Sequence, residues 1–133
     1  MNFLLDTRTL LWSQQNPNKL SRTVRHHIES PLNEIFYSPI NIWEIAIKYK
    51  SGKLDLGGYK PEDFLAAIEG GAYFNCLELL AGSVATSYQL PLSDHRDPFD
   101  RMLVWEALQH DMVLLSADSS LAAYKPEGLQ LIT

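Results

Sequence analysis

The chain has 133 residues, of which 46% are hydrophobic and 20% are charged, and its formal net charge is -5. This length and balance predict a single folded domain over residues 1–133 and exclude general disorder. The acidic charge excludes a protein that coats nucleic acid by bulk electrostatics. The same net charge is compatible with a nucleic-acid enzyme whose metal ion supplies the local positive charge.

Apolar runs alternate with helix-like segments along the chain. Five runs are predicted to be strands, at residues 2–5, 34–37, 73–79, 112–116 and 129–132. The segments between them are predicted to be helices, at residues 7–14, 21–30, 39–50, 61–69, 81–90, 98–109 and 119–124. Because the strands are apolar on both sides and helices separate them, the order predicts an α/β protein. We expect a three-layer α/β/α arrangement whose central, mostly parallel sheet has four to five short strands.

The sequence shows no signal for secretion or membrane insertion. One cysteine, Cys76, cannot form an intrachain disulfide, which excludes a disulfide-stapled secreted scaffold. The first apolar run is shorter than the roughly 7–15 residues of a signal-peptide core. No segment approaches the roughly 20 apolar residues of a membrane helix. We therefore expect a cytoplasmic protein with no membrane partner.

Several acidic residues lie near the predicted carboxyl ends of the strands. Asp6 directly follows the first strand, and Asp118 follows the fourth. Glu44 lies in the helix after the second strand, whereas Asp97 and Asp100 open the helix before the fourth. Ligands of open parallel sheets bind at this edge. Clustered carboxylates need a cation, and their hard oxygen atoms select Mg²⁺ or Mn²⁺, so the sequence predicts a metal site suited to phosphoryl chemistry.

These acids also have ordinary structural explanations. Asp6 and Asp118 could simply cap the helices that follow them. Asp97 fits a helix N-cap because Pro98 follows it, and Asp100 then falls at the third helical position, where an acid favours the helix dipole. Since the cap role already accounts for Asp97, we prefer Asp100 as the metal ligand.

Glu44 is more informative, because it shares a helix face with Ile40 and Ile47. An acid on that face is expected to be partly buried, which is costly without a partner. Lys48, four residues later, could form an ordinary ion pair with Glu44, so the sequence leaves the metal site and the ion pair open.

The remaining reactive and aromatic side chains carry weaker signals. His95 is predicted to be structural, and Cys76 is predicted to lie in the core. Trp12, Trp43 and Trp105 lie on predicted helices, where core packing is the favoured role. No Ser/His or Cys/His arrangement suggests a nucleophile.

A few basic residues flank the acids. Lys48, Arg96 and Arg101 are candidate contacts to the phosphates of a nucleic-acid substrate. The alternative is a solvated charged face.

Four segments carry a family resemblance. They are residues 4–7 (LLDT), 38–48 (SPINIWEIAIK), 90–103 (LPLSDHRDPFDRML) and 114–118 (LLSAD). Their order and spacing resemble, from end to end, the PIN-domain nucleases, and specifically the VapC-type toxins of bacterial toxin–antitoxin pairs. The Trp43-Glu44 helix with residues 52–54 (GKL), together with the block 95–101, is typical of one subgroup.

The resemblance implies a PIN-like fold and a metal-dependent endoribonuclease. The family's acidic quartet carries over as Asp6, Glu44, Asp100 and Asp118. The first, third and fourth of these acids would bind one or two Mg²⁺ or Mn²⁺ ions, with Asp97 or Glu44 as further candidate ligands.

The family pattern also implies supporting residues and partners. Small hydroxyl side chains lie near the metal in the family, and the matching residues are Ser38, Ser116 and, as a weaker candidate, Thr7. The implied partners are an RNA substrate, a second copy of the chain in a homodimer, and a small antitoxin protein.

Two of three other function classes lack the acidic residues that they require. A haloacid-dehalogenase-like phosphatase requires a second acid two residues after its aspartate, where this chain has Arg8. A receiver domain requires a phosphorylated aspartate at the end of its third strand, which is absent. A PIN fold that binds protein or RNA without catalysis remains the alternative.

Overall fold

A computed structural model describes residues 1–71 and 73–133 of the chain. Within these ranges the strands are β1 (Asn2–Leu5), β2 (Glu34–Tyr37), β3 (Phe74–Cys76), β4 (Val113–Leu115) and β5 (Gln130–Ile132). The α-helices are α1 (Thr7–Gln15), α2 (Arg22–Glu29), α3 (Pro39–Lys50), α4 (Pro61–Gly70), α5 (Ala81–Thr86) and α6 (Pro98–Gln109). Short 3₁₀ helices occur at Pro17–Lys19, Ser87–Gln89 and Ser119–Glu127.

The five strands form one parallel sheet in the order β3-β2-β1-β4-β5. The chain moves outward from β1 through β2 to β3, then returns to place β4 on the other side of β1. Leu5 is paired with Leu115 at the carboxyl ends of β1 and β4. These two strands therefore flank the point where the strand order reverses, which is where open parallel sheets bind ligands. The predicted parallel α/β/α fold is confirmed.

Hydrophobic layers cover both faces of the sheet. Successive side chains of a strand point to opposite faces, and all three apolar residues of β1 are fully buried. Phe3 and Leu5 pack in a cluster that includes Leu10 of α1, whereas Leu4 packs in a second cluster that includes Leu103 of α6. Burial on both faces explains why the strands have continuous apolar sequences.

Side-chain caps define where most helices begin. Asp6, Ser21, Ser38 and Asp97 accept hydrogen bonds from the first-turn backbone of α1, α2, α3 and α6, and Asp118 does the same for the 3₁₀ helix that follows it. The cap roles weighed for Asp6, Asp97 and Asp118 are therefore real. They hold three of the acids at fixed positions near the strand ends.

Some predicted boundaries are wrong. The strand predicted at 73–79 is limited to Phe74–Cys76, and the helix predicted at 81–90 ends at Thr86 and continues as a 3₁₀ turn. The helix predicted at 119–124 is a 3₁₀ helix that extends to Glu127. Short apolar segments do not distinguish a strand from the coil that continues it, which explains the overlong β3.

Two predicted core residues lie at the surface. Cys76 is exposed, because β3 is an edge strand and is covered on fewer sides. Trp43 is 62% exposed on the outer side of α3, where its ring contacts Phe99 edge-on. Trp105 is buried as predicted, and Trp12 is half-buried. Among the described residues, no helix is long and apolar enough to cross a membrane.

Candidate metal centre

A cleft of about 540 Å³ opens at the carboxyl ends of β1 and β4. The structure brings together all five acids that the sequence placed at this edge, and each of them lines the cleft: Asp6, Glu44, Asp97, Asp100 and Asp118. They come from four separate parts of the chain. Their convergence gives the cavity more acidic than basic side chains.

Asp6 lies at the floor of the cleft and is 6% exposed. Its backbone N–H continues the sheet ladder by donating to the Leu115 carbonyl at 3.1 Å. Its carboxylate accepts hydrogen bonds from the Thr9 backbone N–H at 2.8 Å and from the Ser116 hydroxyl. Burial raises the pKa of Asp6 above its usual value even though both of these hydrogen bonds lower it. A cation beside Asp6 would stabilise the ionised form.

Glu44 lies across the cleft and is 4% exposed. Its Oε1 accepts a hydrogen bond from the Thr7 hydroxyl at 2.5 Å, and its Oε2 is paired with the Lys48 ammonium group. Asn41 donates to Thr7 Oγ1 at 3.1 Å and to the Leu5 carbonyl at 3.2 Å. The ion pair weighed for Glu44 therefore exists, and Glu44 lines the cleft as well.

Asp97 and Asp100 have different environments at the start of α6. Asp97 Oδ1 caps the helix and accepts the Asp100 backbone N–H at 3.1 Å. Asp100 Oδ2 contacts His95 Nε2 at 2.8 Å. Burial is the main cause that raises the pKa of Asp100 to about 6, and the charges of Asp97, Glu44 and Asp6 raise it further. Asp97 is thus occupied as the helix cap, whereas Asp100 contacts His95.

Asp118 is the most solvated member of the quartet, with a side chain that is 41% exposed. Its Oδ1 accepts hydrogen bonds from the Ser120 hydroxyl at 2.6 Å and the Ser120 backbone N–H at 2.9 Å. The Ser120 hydroxyl is the main cause that lowers the pKa of Asp118. Asp118 therefore stays ionised under conditions in which Asp100 takes up a proton.

His95, which the sequence predicted to be structural, lies beside this centre and contacts Asp100, although it does not line the cleft. One ligand atom from each of His95, Asp100 and Asp118 lies within 4.8 Å of the others. His95 precedes Asp100 by five residues in a loop and reaches Asp118 only through the fold. No local spacing in the sequence indicates that His95 belongs near the acids. The only available signal was its position directly before Arg96 and Asp97.

The predicted hydroxyl residues take unequal positions. Ser116 is fully buried and bridges the centre, since its Oγ donates to Asp6 and accepts the Asp118 backbone N–H at 3.0 Å. Thr7 lines the cleft and orients Glu44. Ser38 is also fully buried, but it caps α3 and does not line the cleft.

The residues predicted to contact phosphate differ in whether they line the cleft. Lys48 lines the cleft together with Lys53 and with Arg8, and the sequence did not single out Arg8 for this role. Arg96 is exposed in the loop before α6 and does not line the cleft.

Arg101 is engaged elsewhere. Its guanidinium donates to the carbonyl oxygens of Leu90 and Pro91 at 3.0 and 3.1 Å and to the Tyr124 hydroxyl at 2.8 Å. This placement does not favour the substrate contact predicted for Arg101. The Tyr124 hydroxyl in turn donates to the His95 carbonyl at 3.1 Å, so Arg101 and Tyr124 together fix the loop that carries His95.

We expect Tyr124→Phe to lower the free energy of unfolding by about 1–3 kcal/mol, because it removes the hydrogen bonds between the Tyr124 hydroxyl and the partly buried Arg101 and His95. Tyr124 is 1% exposed, so water cannot replace the hydroxyl easily. Urea unfolding monitored by circular dichroism measures the change. Tyr88→Phe, at a side chain that is 80% exposed, is the matched control and should shift stability by less than about 0.5 kcal/mol. Equal effects of the two substitutions would contradict this role.

A pH dependence follows from the raised pKa of Asp100. The folded-state pKa is about 6 and the ordinary value is 3.8, so the unfolded chain loses its proton first as the pH rises. Asp100 therefore destabilises the metal-free fold progressively between about pH 4 and pH 6, by an amount on the order of 1–2 kcal/mol. Asp100→Asn removes this loss. Urea unfolding in chelator at pH 4.5 and 6.5 should show a flatter pH profile for the variant, and identical profiles would exclude the effect.

Comparisons with known proteins identify the fold and the family. The sequence matches the PIN domain family over residues 3–125. No curated protein sequence matches significantly. A chain of VapBC2 from Rickettsia felis, bound to a promoter DNA fragment, superposes with a TM-score of 0.67 at 15% identity, covering 99% of this chain and 98% of that chain. Chains of VapBC-1 from nontypeable Haemophilus influenzae (TM-score 0.64, 18% identity) and of DNA-bound VapBC from Salmonella typhimurium (0.64, 20%) each match over 99% of this chain and 97% of theirs.

Proposed function

Because the chain belongs to the PIN domain family, we propose that it is a metal-dependent endoribonuclease and the toxin of a toxin–antitoxin pair. The observation that carries the proposal is the convergence of five acids in one cleft, two of which, Asp6 and Glu44, are almost fully buried. Acids are retained in such positions when a cation offsets their repulsion.

The donor set fits a hard divalent ion. Asp6, Asp100 and Asp118 would hold one or two Mg²⁺ or Mn²⁺ ions, with Glu44 or Asp97 as additional candidate ligands, since these metals prefer carboxylate oxygen. A metal ion held by these residues would supply an activated water molecule and would neutralise the charge that develops on the phosphate.

The protein's own residues would position the reaction. Ser116 donates a hydrogen bond to the Asp6 carboxylate. Thr7 donates to one oxygen of Glu44, and Lys48 is paired with the other oxygen. Glu44, fixed at both oxygens, would orient the attacking water. Ser38 would act indirectly, by setting the start of α3.

The proposed reaction is an in-line hydrolysis of a phosphodiester. The water oxygen forms a bond to phosphorus, and the bond from phosphorus to the 3′ oxygen breaks. The leaving oxygen takes up a proton, so the products carry 5′-phosphate and 3′-hydroxyl ends. Lys48, Arg8 and Lys53 line the cleft and would contact substrate phosphates, with Arg96 as a contact further along the RNA.

RNA is the proposed substrate, although the chain is acidic overall. A net charge of -5 suits an enzyme that selects a structured RNA by shape and a few contacts better than one that binds RNA without discrimination. A cytoplasmic location would give such an enzyme access to cellular RNA.

The proposed partners are a cognate antitoxin and a second copy of the chain. The structural neighbours are chains of VapBC structures, which supports an antitoxin for this chain. An exposed Trp43 and the adjacent half-exposed Ile47 on α3 provide apolar surface that a protein partner could cover.

Cleavage of total cellular RNA by the purified protein tests the proposal. We expect cuts with Mg²⁺ or Mn²⁺, none with chelator, and 5′-phosphate ends on the products. If purified protein free of any bound partner binds RNA but leaves it uncut with either metal, the alternative holds, namely a PIN fold that binds without catalysis.

A further inference from the structure

Trp12 lines the acidic cleft at some distance from the acids themselves. It lies about 9 Å from Asp6 along the axis of α1, since each residue of a helix adds about 1.5 Å. The half-buried indole also lines two neighbouring depressions, of about 620 and 320 Å³. Trp12 therefore lies where three parts of the surface meet, on a path that leads outward from the acids.

The surroundings of Trp12 differ from those of the other two tryptophans. Trp105 is 8% exposed, and its indole N–H donates to the Ser83 carbonyl at 2.9 Å, so it is a core residue. Trp43 lines an apolar surface groove with Ile42, which suits contact with a protein. Trp12 instead borders the cleft proposed for phosphate chemistry, so neither explanation transfers to it.

Two cations lie close to the Trp12 ring. The guanidinium carbon of Arg8 is 5.7 Å from the ring centroid, and Lys19 Nζ is 5.9 Å from it. Both distances are near the limit of about 6 Å for a cation–π contact, and both side chains are exposed, so either can move aside for a base. Lys53 adds a third cation in the cleft. Asp55 lines the larger depression as well, but its carboxylate accepts a backbone hydrogen bond of the following turn at 2.8 Å.

An aromatic ring bordered by cations has the chemistry that binds unpaired nucleotides. A base of any identity can stack on the aromatic face, while the cations contact the phosphates on either side. The bases of double-stranded RNA are already stacked within the helix, so a duplex cannot use such a ring. The surroundings of Trp12 therefore favour single-stranded RNA over duplex RNA.

We propose that Trp12 is a stacking platform for an unpaired base near the scissile phosphate, and that Arg8 and Lys19 contact the phosphates that flank this base. The inference rests on the proposed ribonuclease function and deepens it, because it names single-stranded RNA, including the loops of structured RNA, as the substrate class. Trp12 determines specificity in this proposal and takes no part in bond cleavage.

Photo-crosslinking in the wild-type protein tests the position of the base. The probe is a short unpaired RNA of mixed sequence that carries thiouridine, and chelator is present to prevent metal-dependent cleavage. After irradiation, mass spectrometry should locate the crosslinked nucleotide on Trp12. Crosslinks that map only to other parts of the chain overturn the proposal, and so does the absence of any crosslink.

Fluorescence anisotropy of the same RNA and of its duplex separates stacking from packing. Trp12→Leu keeps apolar bulk but removes the aromatic face. It should weaken binding of unpaired RNA about 5–100-fold and leave binding of the duplex unchanged, whereas Trp12→Phe should retain most of the affinity. Trp43→Leu, at a tryptophan that is 62% exposed and does not line the cleft, is the matched control and should bind as wild type does. Circular dichroism checks the fold of each variant, and the wild-type crosslink decides the question even if Trp12→Leu does not fold.

The outcomes separate this inference from the proposed function. Folded Trp12→Leu that binds unpaired RNA as tightly as wild type overturns the inference, and Trp12 is then assigned to a protein partner. Equal losses for unpaired and duplex RNA also overturn it, as does a wild-type protein that binds no unpaired RNA. If RNA binding depends on Trp12 but neither Mg²⁺ nor Mn²⁺ gives cleavage, the inference holds and the ribonuclease reaction is contradicted.

Discussion

Asp6→Asn is expected to reduce metal-dependent RNA cleavage by at least about 100-fold. Asp6 lies where β1 and β4 end, is almost completely buried, and is the acid that Ser116 orients. The substitution removes one negative charge from the ligand set while the size of the side chain stays the same. The measurement is the rate of RNA cleavage at saturating Mn²⁺, together with Mn²⁺ binding.

The fold should survive this substitution. Asparagine caps a helix about as well as aspartate does, so the hydrogen bond from the Thr9 backbone to residue 6 is retained. Burial disfavours the charged form of Asp6, so metal-free Asp6→Asn should be at least as stable as wild type at neutral pH. Asp63→Asn, which alters an exposed carboxylate at the start of α4, should leave cleavage unchanged. Full activity of Asp6→Asn would remove Asp6 from the mechanism.

Asp100→Asn and Asp97→Asn are expected to differ sharply. Asp97 is occupied as the cap of α6, a role that asparagine can also fill. We expect Asp97→Asn to keep Mn²⁺ binding and cleavage within roughly threefold of wild type. Asp100 contacts His95, and the charges of Asp97, Glu44 and Asp6 act on its carboxyl group, so Asp100→Asn should lose about 100-fold in both.

Calorimetric titration of Mn²⁺ into the two variants resolves the assignment. Both substitutions remove one charge from the same turn of the same helix, so a general electrostatic effect would weaken binding equally. Loss of binding in Asp97→Asn with retention in Asp100→Asn would reverse the assignment of the third acid.

The sheet and the edge at which the acids meet could be predicted because their signals are local, whereas the choice of four acids as a quartet came from the family resemblance. Each strand is a short apolar run, and each of Asp6, Asp97 and Asp118 is followed by a helix that it caps. A parallel sheet places the carboxyl ends of its strands at one edge, independently of the conformation of the loops. The positions of these acids in the sequence therefore determine their position in the fold.

The remaining site residues depend on contacts between distant segments. Asn41 is completely buried and joins Thr7 to the end of β1 across 34 residues of sequence. His95 meets Ser120 across 25 residues, and Arg101 meets Tyr124 across 23. No periodicity or spacing encodes such pairs. From the sequence alone, Arg101 is therefore interpreted as a phosphate contact. The structure shows that its donors are bonded to backbone carbonyls.

The hydrogen bond from Ser116 to Asp6 spans 110 residues of sequence, and it has a consequence for synthesis of the protein. Asp6 and Glu44 emerge from the ribosome early in synthesis. The acidic centre stays incomplete until β4 emerges and pairs with β1. For the proposed ribonuclease, we therefore expect no cleavage of nearby RNA by a growing chain that has not yet reached β4.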